Sequence, residues 1–283
     1  MSEGSNSMRI GRRRVSVLCL LLAASFFAGC SLITQPEVKL EGDPLLAFGN
    51  PSGASTTDPN NYLLRKSSFI LSYNNGRGTA NWVSWRTTPA DLGASIQRPD
   101  FAPDESLPGW FTKIFPTDYS GSGYDRGHMV PSADRFGDPA ANTETFLMTN
   151  IVPQTKDLNQ FVWERLERYE RSIVRRGSDV YVIAGVAGEQ GRIRGKVTIP
   201  ARCWKIIVVL PPGSNEINTD IRVIAVDIPN TGGIGADNWR KYLTTVRLIE
   251  QRTGYDFLSA VPPEVQEQLE TRIDERSRLD RDE

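Results

Sequence analysis

The chain has few of the side chains that bind soft metals or form cross-links: one histidine and three cysteines in 283 residues. A metal centre made of clustered histidines and cysteines is therefore excluded. Cys19 lies in an N-terminal leader and Cys30 at its end, so Cys203 has no cysteine to pair with inside the folded part. Cys203, in "ARCWKIIVVL", is therefore expected to be a small buried hydrophobic residue.

A long hydrophobic run is also missing. Residues 15–29 are apolar and follow the basic group "RRR", but they are too few to span a bilayer comfortably, which is typical of a secretory signal. The segment ends in "FFAGC", which resembles a bacterial lipobox with Cys30 as the lipid anchor, although Phe27 replaces the usual leucine. The alternative is an ordinary signal peptide with Cys30 incidental. Both predict export, either to a lipid-anchored position in the cell envelope or to the periplasm or medium.

The chain has no excess of positive charge. Its net charge is −1, and removal of residues 1–29, which carry four arginines and one glutamate, changes it to −4. Such a protein has no general attraction to polyanions. A nucleic-acid site would therefore depend on local basic residues and a metal ion.

The order of elements predicts an α+β fold. Residues 30–57 are polar and rich in Pro, Gly and Ser and are interpreted as a tether, followed by a domain over residues 58–265 and a charged C-terminal tail over 266–283. Strand-like segments flank the hairpin signal "NGRG", and four more follow an amphipathic helix that ends at Gly177. Two helices, "ADNWRKYLTTVRLIEQRTG" and "PPEVQEQLETRIDERSR", come last. We expect a mixed or antiparallel sheet with flanking helices.

Two motifs carry the chemistry. "YSGSGYDRGHMVPSADR" contains the single histidine, and "NIVPQTKDLNQFVWERLE" follows about twenty residues later. Together, at this spacing, they resemble the DNA/RNA non-specific endonucleases with a ββα-metal active-site motif, over residues 61–262. The resemblance implies cleavage of DNA and RNA, with Mg²⁺ as cofactor and Mn²⁺ as a substitute. It also implies roles for five residues: His128 as general base, Asn159 as metal ligand, Glu167 beside the metal's water shell, and Arg98 and Arg126 as phosphate contacts.

The residues suit this chemistry without the resemblance. An imidazole with a pKa near ~6.5 can accept a proton from water at neutral pH, which predicts a rate that rises from about pH 5.5 to 8. A general base contributes only ~10²–10⁴-fold, so a hard cation is needed to stabilise the phosphorus centre. Asn159 and Glu167 are eight residues apart, about 12 Å and roughly 80° on an α-helix, so they are expected to share a face only loosely.

Three alternatives remain open from the sequence. The basic segment "RIRGKVTIPARCWK" could follow a phosphate backbone or form a solvated strand edge. "YSGSG" resembles a serine-hydrolase elbow around Ser122, but Ser120 stands where that motif needs glycine. An envelope lipoprotein that binds nucleic acid with a decayed active site is the third. A nuclease assay with and without chelator separates a metal-dependent nuclease from the serine-hydrolase and binding-lipoprotein alternatives.

Overall fold

The computed structural model describes Met1 and residues 38–280. The elements below all belong to one compact unit of the chain. The predicted signal peptide, Cys30 and the first part of the predicted tether lie outside the described residues. In the part of the chain that the structure describes, no helix has the length and apolar character needed to cross a membrane.

Thirteen strands and five α-helices follow one another in the described residues, several of them short. The strands are β1 Val38–Lys39, β2 Tyr62–Arg65, β3 Phe69–Asn74, β4 Thr79–Thr87, β5 Asp125–His128, β6 Ile151–Gln154, β7 Asp179–Ala187, β8 Arg192–Ile193, β9 Val197–Thr198, β10 Arg202–Leu210, β11 Glu216–Ile217, β12 Arg222–Pro229 and β13 Leu243–Thr244. The α-helices are α1 Pro139–Glu144, α2 Glu164–Arg175, α3 Val246–Thr253, α4 Pro263–Thr271 and α5 Arg276–Leu279.

A seven-stranded antiparallel sheet in the order β13-β12-β10-β7-β4-β3-β2 forms the centre of the domain. Its long strands are rich in β-branched and aromatic residues, and both faces are covered. Side chains alternate between the faces, so Trp85 contributes to the cluster on the α2 side and Trp82 to the cluster on the α3 and α4 side. This confirms the predicted α+β class with an antiparallel sheet.

Close strand packing requires a glycine at one point of this sheet. Gly185 on β7 lies opposite Trp82 on β4, and a Cβ at this position would be 2.4 Å from the Asn81 carbonyl oxygen and 2.4 Å from the Trp204 ring. Because both neighbours are fixed by the sheet, only glycine fits.

A separate two-stranded ladder, β5 and β6, leads into a π-helix over Leu158–Trp163 and then α2. The apolar side of α2 packs through Leu166, Ile173 and Val174 into the core. The helix ends before Gly177, whose φ of 102° is a left-handed conformation that favours glycine. Two strands followed by a helix give the ββα arrangement that the sequence predicts.

Three segments differ from the sequence expectations. The first predicted C-terminal helix is interrupted: residues 239–242 form a 3-10 turn, Leu243 pairs with Val226 of β12, and α3 begins after Thr245. The strand pairing extends the backbone at Leu243, and the Thr245 hydroxyl caps α3 at the Leu248 N–H (3.2 Å).

The predicted tether and tail are partly folded onto the domain. Within 38–57, Leu40, Phe48 and Ala54 are buried against the sheet, and β1 pairs with β11. In the predicted tail, Leu269 is fully buried and Asp274 pairs with Arg222 at 2.8 Å. The scattered apolar residues of both segments bury enough surface to fix them.

Candidate active site

The β5–β6 ladder places the single histidine. Gly127 lies opposite Val152 and His128 opposite Ile151. A Cβ on residue 127 would be 2.1 Å from the Gln154 Oε1, so the glycine of "DRGH" allows the two strands to approach. Beyond the histidine, the buried Asn150 side chain accepts from the Val130 N–H and donates to the Val130 carbonyl, both at 3.0 Å. The histidine therefore stands on a backbone that is fixed on both sides.

The His128 imidazole is enclosed by aromatic rings. The ring centroids of Phe101 and Phe146 lie 5.3 Å and 4.8 Å from its own. Its Nε2 is buried and has no hydrogen-bond partner among the described residues. Burial, and then the nearby charge of Arg98, lower the pKa of His128 to about 3. The imidazole is consequently neutral at physiological pH, and Nε2 is not engaged by the protein.

Asn159 is oriented by an acidic residue that the sequence analysis did not select. The Asn159 Nδ2 donates to the Asp125 Oδ2 at 2.9 Å, and the Gln160 Nε2 donates to the same oxygen at 2.8 Å. Because the amide nitrogen is engaged, the Asn159 Oδ1 remains as the acceptor. Asp125 precedes Arg126 in "DRGH", and its place in the motif was the only signal for it.

The π-helix changes the expected relation of Asn159 to Glu167. An i→i+5 ladder turns the chain by roughly 80° per residue instead of about 100°. Five steps at the smaller angle and three at the larger bring the two residues to within about 20° of one line along the helix. Both residues line one cavity with His128, so the wide turn brings them closer to a common face than a regular α-helix would.

Glu167 lies in a charged network that extends into the core. Burial raises the pKa of Glu167 to about 7, although the charges of Lys205 and Arg171 oppose the rise. The Arg171 Nη1 is 3.9 Å from the Glu167 carboxylate and donates to the fully buried Asp134 at 3.1 Å. The Trp85 Nε1 also donates to Asp134, at 3.2 Å. Sequence reasoning did not identify Asp134 or Arg171, because a contact between "PSADR" and the helix is not visible in the chain order.

The two arginines stack on the same aromatic group. The Arg126 guanidinium lies 4.7 Å from the Phe101 ring centroid, and that of Arg98 lies 5.5 Å from Phe101 and 5.1 Å from Phe146. Such stacking holds a guanidinium while leaving its N–H groups available.

Two adjoining cavities form the cleft. One of about 410 Å³ is lined by Arg98, Arg126 and Asn159, and another of about 360 Å³ by Arg98, His128, Asn159 and Glu167. The structure thus brings together all five residues predicted from the sequence.

The basic side chains of residues 192–205 bond within the protein. Neither of the two interpretations from the sequence, phosphate binding or a solvated strand edge, predicted this. Each of the five basic side chains has a partner: Arg192 bonds to the Gly76 carbonyl, Arg194 to the Asp118 and Ser120 carbonyls, Lys196 to Asp118, Arg202 to Asp227, and Lys205 to Glu170. Tyr119 and Ser120 line the cleft, so this segment supports one of its walls. Ser122, the nucleophile of the serine-hydrolase alternative, bonds within its own turn to Tyr124.

Three carboxylates cluster away from this cleft, at Glu250, Asp256 and Glu270. Arg247 donates to Glu250 at 3.0 Å and lies 2.9 Å from Glu270, and Gln266 donates to Asp256 and Glu270. Protein donors therefore already compensate this cluster.

Known sequences and structures identify the family of the chain. A sequence profile of the DNA/RNA non-specific endonucleases matches residues 48–264. The chain belongs to the DNA/RNA non-specific endonuclease family. A nuclease of Nostoc sp. (strain PCC 7120) is 48% identical over 275 residues, covering 93% of this chain and 98% of its own. A nuclease of Serratia marcescens is 31% identical, covering 94% and 96%.

More distant members of the endonuclease family also align with the chain. A mitochondrial nuclease EXOG of Xenopus laevis is 30% identical, with coverage of 83% of this chain and 69% of its own. The crystal structure of an EndoG/EndoGI complex matches with a TM-score of 0.66 and 24% identity, covering 80% of this chain and 94% of the other. This last likeness concerns the fold. The protein is accordingly a nucleic-acid hydrolase.

Proposed function

We propose that this endonuclease is exported and hydrolyses phosphodiester bonds of DNA and RNA with Mg²⁺, without sugar or strong sequence specificity. The observation that supports this most is the His128 imidazole in the same cavity as the Asn159 amide and the Arg98 guanidinium. A proton acceptor, an oxygen ligand and a phosphate-binding cation are the parts that metal-assisted phosphodiester hydrolysis needs.

The donor set fits a hard cation. Asn159 offers a neutral oxygen whose direction is fixed by Asp125, and Glu167 provides a carboxylate in the same cavity. Mg²⁺ retains several waters and needs few protein ligands, and Mn²⁺ accepts the same oxygen donors. When bound, the ion would supply charge stabilisation for the pentavalent phosphorus and the departing 3′-oxygen. Asn159 would hold it, and Glu167 would act on its water shell.

The protein's own side chains accept the proton and bind the phosphate. The His128 imidazole, which lines the cavity, accepts the proton of the attacking water, while Phe101 and Phe146 fix the imidazole plane. Arg98 and Arg126, which line the cleft and stack on Phe101, bind the phosphate. Because the charge of Arg98 contributes to the low pKa of His128, a phosphate bound to Arg98 raises that pKa. Substrate binding would therefore strengthen the base.

Substrate breadth follows from the use of an external water molecule. No 2′-hydroxyl is required as nucleophile, so DNA and RNA are both substrates, single- or double-stranded, and the products carry 5′-phosphate and 3′-hydroxyl ends.

The decisive assay digests plasmid DNA and a structured RNA side by side, with Mg²⁺ and with EDTA. We expect both to be degraded with Mg²⁺ and neither with EDTA. Cleavage of RNA alone, with 2′,3′-cyclic products, would contradict the proposed mechanism. Binding of both nucleic acids without cleavage would instead support the decayed, binding-only alternative.

We also propose that the N-terminal segment directs export and that Cys30 carries a lipid anchor to the cell envelope. The proposal is supported by the basic residues 12–14, the short apolar run and the "FFAGC" sequence. An acyl chain adds ~0.8 kcal/mol per buried methylene, and stable anchoring needs more than one chain.

A further inference from the structure

A second cleft, of about 280 Å³, lies beside the turn that joins β3 to β4. It has no lining residue in common with the catalytic cleft. Three parts of the chain form it: the β3–β4 hairpin, the end of β7, and the end of α3 with the residues after it. The lining residues are Asn74, Arg77, Asn81, Val186, Ala187, Gly188, Arg252, Thr253 and Tyr255.

The side-chain polar groups of this cleft that are not already engaged are hydrogen-bond donors. The half-buried Arg77 guanidinium makes no hydrogen bond or ion pair to any residue that the structure describes. Arg252 uses its Nε on the Asp227 carboxylate at 2.8 Å, which leaves its terminal nitrogens. The Tyr255 hydroxyl likewise has no hydrogen-bond partner within residues 38–280. The charge of Arg77 opposes the rise that burial causes in the pKa of Tyr255, so the two groups are near each other.

The side-chain acceptors in the cleft are already used. The Asn74 Oδ1 accepts from the Arg77 backbone N–H at 3.0 Å, and the Asn81 Oδ1 accepts from Asn74 at 3.2 Å. The Thr253 hydroxyl donates to the Ile249 carbonyl at 2.8 Å. No carboxylate is among the lining residues. A cleft with free donors, two guanidinium groups and no free carboxylate favours an anion.

We propose that this cleft is a binding site for a phosphate group, held by Arg77, Arg252 and Tyr255. A guanidinium matches the oxygens of a phosphate in a bidentate manner, and the two arginines reach the cleft from different elements. The phosphate belongs either to the backbone of a polynucleotide or to a free phosphate or mononucleotide. The anion site itself stands without the proposed function, and only its use for a polynucleotide rests on that function.

The first experiment measures binding of inorganic phosphate by calorimetry, without divalent metal. The parent is the full chain with Arg98→Gln and Arg126→Gln, which removes the two cations of the catalytic cleft. We expect the parent to bind phosphate, and Arg77→Gln to weaken the binding at least about tenfold. The matched control is Arg278→Gln, which removes one exposed positive charge that pairs with Glu275 at 2.9 Å on α5 and should leave the affinity unchanged.

Two further variants keep the test decisive if Arg77→Gln does not fold. Tyr255→Phe retains the ring contacts with Trp204 (6.5 Å) and Phe257 (6.0 Å) and removes only the hydroxyl. Arg252→Gln removes the second guanidinium. Each should weaken phosphate binding, Tyr255→Phe with unchanged thermal unfolding and Arg252→Gln in a protein that still folds although its ion pair with Asp227 is lost.

The second experiment identifies the source of the phosphate with Arg77→Gln in the otherwise natural chain. If the site takes a polynucleotide backbone, KM rises several-fold for a single strand of roughly 30 nucleotides but not for one of roughly four, and kcat is unchanged. If it takes a free phosphate, neither KM changes, and Arg77→Gln still weakens phosphate binding in the calorimeter. A parent that binds no phosphate, or folded Arg77→Gln, Arg252→Gln and Tyr255→Phe variants that bind it like the parent, would overturn the site. An inactive natural chain that still binds phosphate at this cleft would overturn only the proposed function.

Discussion

The protonation state of His128 is set by its surroundings rather than by the residue type. Burial among Phe101 and Phe146 and the charge of Arg98 lower its pKa to about 3, whereas the sequence alone suggests a value near ~6.5. In the free enzyme the imidazole is thus neutral across the pH range in which the sequence predicts it to titrate. A rise in rate between pH 5.5 and 8 would need another group, and Glu167, with a pKa of about 7, lies in the same cavity.

This state can be measured directly, because His128 gives the only histidine signals in the proton NMR spectrum. We expect no titration between pH 8 and 5 in the metal-free protein, and an upward shift of the midpoint when a mononucleotide fills the catalytic cleft. A midpoint near 6.5 without ligand would contradict the buried environment. The unfolded chain takes up a proton below about pH 6.5 and the folded one does not. The stability that His128 contributes is therefore lost as the pH falls from about 6.5 towards 3.

Substitutions should separate the base from the metal ligand. His128→Ala should leave the fold and nucleic-acid binding intact and reduce cleavage by about 10²–10⁴-fold, and added Mg²⁺ or Mn²⁺ should not restore it. Asn159→Ala should weaken metal binding, so part of the lost rate should return at high Mg²⁺ or Mn²⁺.

Circular dichroism and a gel-shift assay serve as controls for both variants. Near-natural turnover of plasmid DNA by His128→Ala would exclude His128 as the base. An Asn159→Ala loss that no metal concentration relieves would indicate a structural role for Asn159.

At the scale of elements, four of the five site residues that the sequence predicts lie within two short contiguous motifs, and Arg98 lies in a loop outside them. β5 and the helix after β6 each carry their residues in one quoted segment, so chain order was enough. The partners of those residues come from elsewhere. Arg171 meets Asp134 across 37 positions, and Phe101 and Phe146 reach His128 from separate loops. The π-helix was also not predictable, because a single wide turn leaves the apolar pattern of α2 unchanged.

The attachment of α2 to the sheet depends on a buried ion pair between Lys205 of β10 and Glu170, at 3.0 Å. Both side chains are almost fully inaccessible, and the Lys205 Nζ also lies 4.8 Å from the Trp163 ring centroid. Lys205→Met should lower the free energy of unfolding by about 3–5 kcal/mol, because it leaves Glu170 buried without its partner. Denaturant unfolding measures the change.

A matched pair on the surface provides the comparison. Lys113 pairs with Glu105 with 37% and 70% of the two side chains exposed, so Lys113→Met should cost no more than ~1 kcal/mol. Replacing both members of the buried pair, with Lys205→Met and Glu170→Leu, should recover most of the loss. Equal costs at the two lysines would show that burial does not determine the strength of the pair.

At the scale of the whole molecule, composition indicated the class of protein better than it indicated where the packed domain begins and ends. The polar segments before residue 58 and after residue 265 suggested a tether and a tail, but Phe48 and Leu269 are core residues. The isolated apolar residues before residue 58 give no periodic signal, and the helix predicted across residue 265 does not by itself show that Leu269 packs on the sheet. The packed part of the domain is therefore longer than the sequence expectation, at both ends.

The proposed anchor can be tested by substitution of Cys30. Cys30→Ala should move the protein from the membrane fraction to a soluble one or leave it unprocessed, as followed by fractionation and mass spectrometry. The physical reason is the loss of the acyl chains that hold it to the bilayer. Natural processing with full membrane attachment in the variant would refute lipid anchoring at Cys30.

Because Cys203 is buried, thiol labelling provides an independent test of the proposed acylation of Cys30. Burial raises the pKa of this thiol to about 12, so it remains protonated and inaccessible to thiol reagents while the domain is folded. After removal of residues 1–29, any thiol that reacts in the native protein must belong to residue 30. Alkylation before and after denaturation then measures how much of the population carries a thioether: a fully acylated sample is silent when folded, and a free Cys30 reacts at once.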